Sequence, residues 1–307
     1  MMSLNLPGSF ELREKAGESL GEVLNFGRRE LSALGSLEGD ASAERLLETL
    51  LDCPRSALYL EPDRRLSASV CGEYRRLVAL RKQRVPTAYL CGKAFFRNEV
   101  LEVSPDCLIP RPETGLMIET VIREIRLPEA FSFLDLGTGS GAIALTLLRH
   151  FEKSRGTLTD VSPEALAMAR KNLETYGVLD RARFILSDFF EGLGAGPVNS
   201  GWDLIVSNPP YLTHEDLGRL QPEVAYEPRI ALDGGPDGCE FYRRIIREAP
   251  AHLTQGGALV LEAGMGQAGK ISGWLGEAGY LNIRIFKDDQ GIERVVMAIK
   301  GRRVSHG

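Results

Sequence analysis

From Phe131 onward, short aliphatic runs alternate with amphipathic stretches, and no other feature narrows the possible fold as far. "FSFLDLG" is a strand entering a glycine turn and "AIALTLLRHF" a helix. "GTLTDVS" is a strand, and "PEALAMARKNLETYG" is a helix with proline in its first turn and glycine after its end. The order continues with strands "ARFILSD" and "WDLIVSNPPY", helix "EFYRRIIREAPAHL", strand "GGALVLEAG", helix "QAGKISGWLGEAG", and strands "LNIRIFKD" and "RVVMAIK". Only "DQGIE" separates the last two, too short for a crossover helix, so they pair antiparallel. The expected class is α/β: a doubly wound, mainly parallel, seven-stranded sheet with an antiparallel C-terminal strand.

Upstream the pattern changes. From about Glu11 to Arg84 apolar residues recur at three and four, as in Leu20, Val23 and Leu24, or Leu46, Leu47, Leu50 and Leu51. Breaks at Gly35, Gly39, Pro54 and Pro62 divide the segment into short helices. A small N-terminal helical bundle is expected over residues 1–85. "FFRNEVLEV" then has hairpin character, giving a hairpin linker over 86–112. Pro105, Pro110 and Pro112 delay regular structure until a helix near Glu113, so the α/β domain is expected to span 113–307.

The 307 residues are 43% hydrophobic and 26% charged, a globular composition, and the length suits two domains. A formal net charge of -5 argues against a protein that mainly coats nucleic acid, and no stable nucleic-acid binding is expected. The basic stretch "RRLVALRKQR" (Arg75 to Arg84) spaces its apolar residues helically and reads as a solvated helix face. Five cysteines, odd in number and widely spaced, and four histidines never at ligand spacing with them, point to reduced thiols and no metal site. With no signal-like N-terminus and no long apolar run, a cytoplasmic protein without membrane contact is expected.

Four motifs carry chemistry. In "LDLGTGSGAIAL", Gly137, Gly139 and Gly141 let backbone approach a ligand, and the exposed N–H groups suit an anionic or polar group. The spacing also fits a dinucleotide loop, so it does not separate NAD from other nucleosides. Asp160, nineteen residues after Gly141, ends the next strand beside that loop, where a carboxylate accepts from ribose hydroxyls; capping the next helix with Ser162 is the competing role. Asp188 and Phe189 end the third strand, where the acid meets an adenine amine and the ring packs on the base, or where they are simply a loop acid and a core ring.

The fourth motif, Asn208, Pro209, Pro210 and Tyr211, ends the fourth strand. Two prolines remove two backbone donors and fix φ, so the carbonyls before them point in set directions. An asparagine oxygen and such a carbonyl accept both hydrogens of a planar NH₂ group, while the tyrosine covers its π face. Those acceptors bind more strongly as positive charge grows on the nitrogen, which favours the transition state of its alkylation.

With these residues in place, the chain resembles class I S-adenosylmethionine-dependent methyltransferases, and within them the peptide-chain release-factor glutamine methyltransferases. The resemblance rests on "AYLCGKAFF", "LIPRPET", "LDLGTGSGAIAL", "DVSPEALAMARKN", "IVSNPPY", "EVAYEPRIALDGGPDG", "FYRRI", "LEAGMGQ" and "RVV", and covers about Ala88 to the C-terminus. It implies that Gly137, Thr138, Gly139, Ser140 and Gly141 hold the methionine part of S-adenosylmethionine, Asp160 its ribose and Phe189, with Asp188, the adenine region. Asn208 to Tyr211 are implied to hold the substrate glutamine and carry the chemistry, Asn208 also bordering the cofactor. Arg111, Pro112, Glu113 and Thr114 of "PRPET" are implied to border the substrate. The product cofactor is S-adenosylhomocysteine.

The implied partner is a class 1 peptide chain release factor, modified at its GGQ glutamine and touched by the helical domain of an otherwise monomeric enzyme. Alternatives are a ribosomal-protein glutamine, an exocyclic amine of a DNA or RNA base, or a dinucleotide-dependent oxidoreductase. The acidic balance weighs against a base, "EPRIALDGGPDG" against the ribosomal substrate, and "NPPY" against hydride transfer. Three departures stand out: Gly115 where the family continues with an acid, "RNE" (Arg97 to Glu99) at the hairpin tip, and "LEAG" for the more frequent "LEIG".

Overall fold

The structure, a computed structural model, describes residues 17–193 and 201–301. The expected helical residues 11–16 lie outside that range. The chain divides into two compact units, Met1–Cys91 and Gly92–Gly307.

The first unit is helical: α1 (Leu20–Leu31), α2 (Ser36–Leu51), α3 (Ala57–Leu60), α4 (Ala68–Lys82) and α5 (Thr87–Cys91). Ser19 starts α1 with a reciprocal capping box to Glu22, worth about 1 kcal/mol over an uncapped start. The predicted stripes of α1, α2 and α4 meet in one core around the fully buried Tyr74, whose hydroxyl donates to the Ala43 carbonyl at 3.0 Å. Gly27 is required for this packing, since a Cβ there would lie 1.9 Å from the Tyr74 oxygen. Among the described residues no helix is long and apolar enough to cross a membrane, and no disulfide joins the five cysteines.

The division falls after Cys91 rather than at the expected 85, because α5 still packs on the helical core through Cys91. The hairpin, β1 (Lys93–Phe96) and β2 (Glu99–Glu102), falls in the second unit. Phe96 and Leu101 are buried in that unit's core. Tyr176 Oη accepts from Val100 N at 2.7 Å and donates to its carbonyl at 3.1 Å, and the Asn172 amide makes the same exchange with Glu102 at 2.8 and 2.9 Å. Edge backbone groups that a free linker would leave to water are thereby satisfied.

The remaining elements are α6 (Thr114–Glu124), β3 (Ser132–Leu136), α7 (Ala142–His150), β4 (Arg155–Asp160), α8 (Pro163–Thr175), β5 (Ala182–Leu186) and β6 (Trp202–Ser207). They continue with α9 (His214–Leu217), α10 (Glu240–His252), β7 (Leu253–Glu262), α11 (Ala268–Glu277), β8 (Tyr280–Lys287) and β9 (Glu293–Lys300). The seven strands lie in the order β5-β4-β3-β6-β7-β9-β8, parallel except β9, which pairs antiparallel with both β7 and β8. Strand side chains alternate between two cores: Phe133, Leu204, Val206, Ala258 and Val260 face α6, α7 and α8, while Leu134, Leu136, Ile205, Leu259 and Leu261 face α10 and α11. Strand order reverses direction between β3 and β6. In an open α/β sheet a ligand crevice forms at the carboxyl ends of such a strand pair. The glycine loop follows β3 and "NPPY" follows β6, so the topology brings both motifs to that crevice.

Candidate active site

A cavity of about 250 Å³ opens at this sheet edge. Its wall includes Gly137, Thr138, Gly139 and Ser140 after β3, Asp160 after β4, Asp188 and Phe189 after β5, and Asn208, Pro209 and Pro210 after β6. Arg111 and Thr114 of "PRPET" line it too, as do Pro228, Ile230 and Ala231 of "EPRIALDGGPDG" and Phe241 of α10. Residues separated by about 130 positions, Arg111 and Phe241, therefore share one wall.

The glycines serve different ends. Gly137, Gly139 and Gly141 adopt φ of +68°, +54° and +80°, a region that costs other residues about 1–2 kcal/mol. A Cβ on Gly137 or Gly139 would meet nothing within 4 Å, so their bare backbone faces open space. A Cβ on Gly141 would sit 3.0 Å from that of Ala169, so this glycine lets α8 close on the loop, off the cavity wall. Below, the buried Asp135 accepts from the Thr138 hydroxyl at 2.7 Å. Burial pushes its carboxyl up to about 7.

Asp160 ties the glycine loop to the start of α8. Its Oδ2 accepts from Gly139 N at 2.9 Å and its Oδ1 from Ser162 N at 3.0 Å, while Ser162 caps α8 through Ala165 N at 3.0 Å. A carboxylate offers about four lone-pair directions, so acceptor capacity remains for a ligand. Burial raises its pKa against the lowering pull of those backbone donors.

Asp188 is tied to Arg244, which donates to its Oδ1 at 2.7 Å and to its carbonyl at 3.0 Å. The same guanidinium lies 5.3 Å from the centroid of the Phe189 ring, and the Phe241 ring centroid lies 5.2 Å from it. Phe189 itself has φ +53°, a strained conformation for an aromatic residue that persists only when its surroundings hold it. Phe241 and Arg244, both on α10, were given no role from the sequence, although they are the first and fourth residues of "FYRRI" and that spacing puts them on one helix face.

The "NPPY" turn is held from behind by "ALDGGPDG". Leu212 N donates to the Leu232 carbonyl at 2.9 Å and Gly234 N to the Leu212 carbonyl at 2.8 Å. A Cβ on Gly234 would come within 2.7 Å of Tyr211 Cα and 2.9 Å of the Pro210 oxygen, and one on Gly238 within 2.4 Å of the Tyr211 oxygen. Gln267 of "LEAGMGQ" donates to both the Tyr211 carbonyl at 3.0 Å and the Gly238 carbonyl at 3.2 Å. Tyr211 packs in part against the second core, where Gly264 leaves its ring room, and the cavity wall ends at Pro210 on this turn. Burial and the nearby Glu262 push its phenol up to about 12.

"PRPET" is anchored in turn by Glu227, whose side chain is 1% exposed. Glu227 accepts from Ile109 N at 3.1 Å and pairs with the Arg111 guanidinium. Arg111 thus lines the cavity with its charge already partnered, while Pro112 and Glu113 lie off the wall. Glu227 had no role assigned from the sequence, although it is the acid of "AYEPRI". Thr114 Oγ1 accepts from Asn208 Nδ2 at 3.3 Å. Two of the three departures also meet: Arg97 donates to the Gly115 carbonyl at 3.0 Å and to Glu119 at 3.2 Å, its side chain lying over the space that a residue larger than glycine would enter.

Two family models match the chain: the PrmC N-terminal domain over residues 22–92 and the methyltransferase small domain over residues 114–224. A release factor glutamine methyltransferase of Geobacter sulfurreducens is 39% identical over 276 residues, covering 90% of this chain and 94% of its own. One of Cereibacter sphaeroides is 38% identical over 269 residues, covering 87% and 94%. Another of Caulobacter vibrioides is 36% identical over 259 residues, covering 84% and 88%.

Proposed function

The chain belongs to the release factor glutamine methyltransferase family, and from that premise we propose that it transfers a methyl group from S-adenosylmethionine to the side-chain amide nitrogen of the GGQ glutamine in class 1 peptide chain release factors. The observation that carries this reading is the neighbourhood of Asn208: a side-chain amide with its nitrogen turned to Thr114, in a proline-fixed turn, on the wall that the open glycine loop shares.

The cavity fits the cofactor. Gly137 and Gly139 expose backbone with room beyond, suited to a methionine carboxylate and amine. Asp160 has acceptor capacity left for ribose hydroxyls, and the Phe189 ring, clamped by Phe241 and Arg244, suits a flat base. When bound, S-adenosylmethionine supplies an electrophilic methyl group on a sulfonium.

The residues around "NPPY" then act on the substrate. Asn208 Oδ1, with the carbonyls before Pro209 and Pro210, accepts the hydrogens of the glutamine NH₂. An amide nitrogen is a poor nucleophile, so holding it in line is the first contribution, and effective molarity from such orientation is large. Acceptors that strengthen as the nitrogen becomes positive are the second. No strong base is needed, because the alkylated nitrogen is acidic enough to release its proton to water. The helical unit, matching the PrmC N-terminal domain, is assigned to recognition of the release factor, and the enzyme acts in the cytoplasm with its substrate.

Methyl transfer from labelled S-adenosylmethionine to a purified release factor tests the reading against the same factor with its GGQ glutamine replaced. Labelling of the native factor alone is expected. Equal labelling of both would refute it.

A further inference from the structure

The turn after β5 holds a conformation that its own residues would not keep. Phe189 sits at φ +53°, a region that a residue with a side chain leaves unless its surroundings hold it there. Two side chains do so. From within the turn, the Ser187 hydroxyl shares its one hydrogen between the carbonyls of Phe189 at 3.0 Å and Glu191 at 2.6 Å. From α10, Arg244 Nη1 donates to Asp188 Oδ1 at 2.7 Å, and Nη2 to the Asp188 carbonyl at 3.0 Å and to Glu191 Oε1 at 3.2 Å. Its Nε lies 3.5 Å from Glu248 Oε1 on the same helix, and its central carbon lies over the Phe189 ring, 5.3 Å from the centroid.

Arg244 does not line the cavity, whereas Asp188 and Phe189 do, so any effect it has on a ligand passes through those two. Its fork grips the side chain and the carbonyl of one residue, which fixes the torsions of Asp188 from backbone to carboxylate. Oδ1 is taken by Arg244. Oδ2 accepts from none of the described residues and is left as an acceptor of set direction, next in the chain to an aromatic face. Such a pair complements a flat heterocycle that carries an N–H donor. The amino group of adenine meets the acceptor, and the rings of the base meet Phe189. A lysine could supply the charge but neither the planar fork nor the face that lies on the ring.

We propose that Arg244 is a positioning residue that makes the cavity selective for adenine over purines that lack its amino group, by fixing the Asp188 acceptor and the Phe189 ring relative to each other. This rests on the reading of the cavity as the S-adenosylmethionine site and extends it to what chooses the base.

The test is calorimetry on the full chain with two ligands and no release factor: S-adenosylhomocysteine, and the same molecule with hydrogen in place of the base's amino group. Wild type is expected to bind the first about 10- to 30-fold more tightly. Arg244→Ala is expected to bind S-adenosylhomocysteine about tenfold more weakly and to prefer it by no more than about threefold. Asp188→Ala should lose the preference to the same extent, and adding Arg244→Ala to it should not change the preference further, because the arginine acts on the amino group only through that carboxylate. Arg244→Lys should not restore the preference.

An Arg244→Ala protein that weakens both ligands equally, keeping the wild-type preference, overturns the proposal, since a merely structural arginine would do that. Unchanged affinities overturn it too, as does a preference fully restored by lysine, which would make charge rather than the fork responsible. Should Arg244→Ala fail to fold, Arg244→Lys decides alone: a full wild-type preference in that variant contradicts the proposal, and a preference reduced to about threefold supports it. Wild type that binds both ligands alike refutes the reading of the amino group, whereas wild type that binds neither refutes the cofactor site itself, and the two failures are told apart before any variant is made.

Discussion

Glu227→Ala is the substitution whose consequences are most fully set by the structure. The Glu227 carboxylate, 1% exposed, binds Ile109 N at 3.1 Å and pairs with Arg111, which is 33% exposed. Removing one partner of a buried pair costs about 3–5 kcal/mol, chiefly through the charge left behind. Arg111 retains some access to water, which places the loss near the lower end, about 3 kcal/mol. Glu227→Gln keeps an acceptor for Ile109 N and is expected to lose about 1–2 kcal/mol.

Both tryptophans of the chain, Trp202 and Trp274, lie in the sheet unit, so their fluorescence reports urea unfolding of that unit alone. The midpoint should fall for Glu227→Ala with an unchanged slope. Because "PRPET" carries Thr114, kcat/KM is expected to drop about 10- to 100-fold, while Arg111→Ala added to Glu227→Ala should cost far less than it does alone. A Glu227→Ala protein within about 0.5 kcal/mol of wild type, with unaltered kcat/KM, would show that this pair does not hold the loop.

Gly234→Ala places a Cβ 2.7 Å from Tyr211 Cα and 2.9 Å from the Pro210 oxygen, so the "NPPY" turn must move; a rate loss above about tenfold is expected, with calorimetry showing cofactor affinity nearly intact. Gly115→Ala meets its nearest neighbour, Arg97 Nη1, at 3.5 Å, an ordinary contact, and improves the first turn of α6, so thermal unfolding should report about 0.5–1 kcal/mol of added stability at unchanged activity. Glu262 is raised by burial from 4.5 to about 7, so the folded state binds its proton more tightly than the unfolded chain, and unfolding free energy declines as pH rises between those values. Glu262→Gln mimics the protonated form: urea titrations should show it close to wild type near pH 4.5 and more stable, by on the order of 3 kcal/mol, above pH 7.

The parts of the site legible in the sequence are those whose requirements are local. A glycine spacing that needs positive φ, an acid ending the next strand, and two prolines ending another each announce themselves within about ten residues, and strand alternation places them at one sheet edge. Contacts between distant segments leave no such local sign. Glu227 meets Arg111 from 116 residues away, and Gly234 is a glycine because Pro210 and Tyr211 occupy the space beside it. Each is visible in the sequence only as an unexplained letter in a motif.

The hairpin illustrates the same limit. Its alternating pattern predicted the two strands correctly but not their partners, because Asn172 and Tyr176, which satisfy its edge, come from a helix some seventy residues later. Arg97 and Gly115 looked like separate departures, yet they are one packing arrangement. Tyr211 is expected at the substrate because a ring beside an amide acceptor suggests stacking; its packing against the second core beside Gly264 had no local sign in the sequence.

We propose that Asn208 and its proline-fixed neighbours present a glutamine amide for methylation. Tandem mass spectrometry of a release factor incubated with S-adenosylmethionine and either wild-type enzyme or Asn208→Ala tests it most directly. Wild type should add one methyl group, on the side-chain amide of the GGQ glutamine, and the variant should add none while still binding the cofactor. A methyl group on any other residue, or equal modification by the variant, would contradict it.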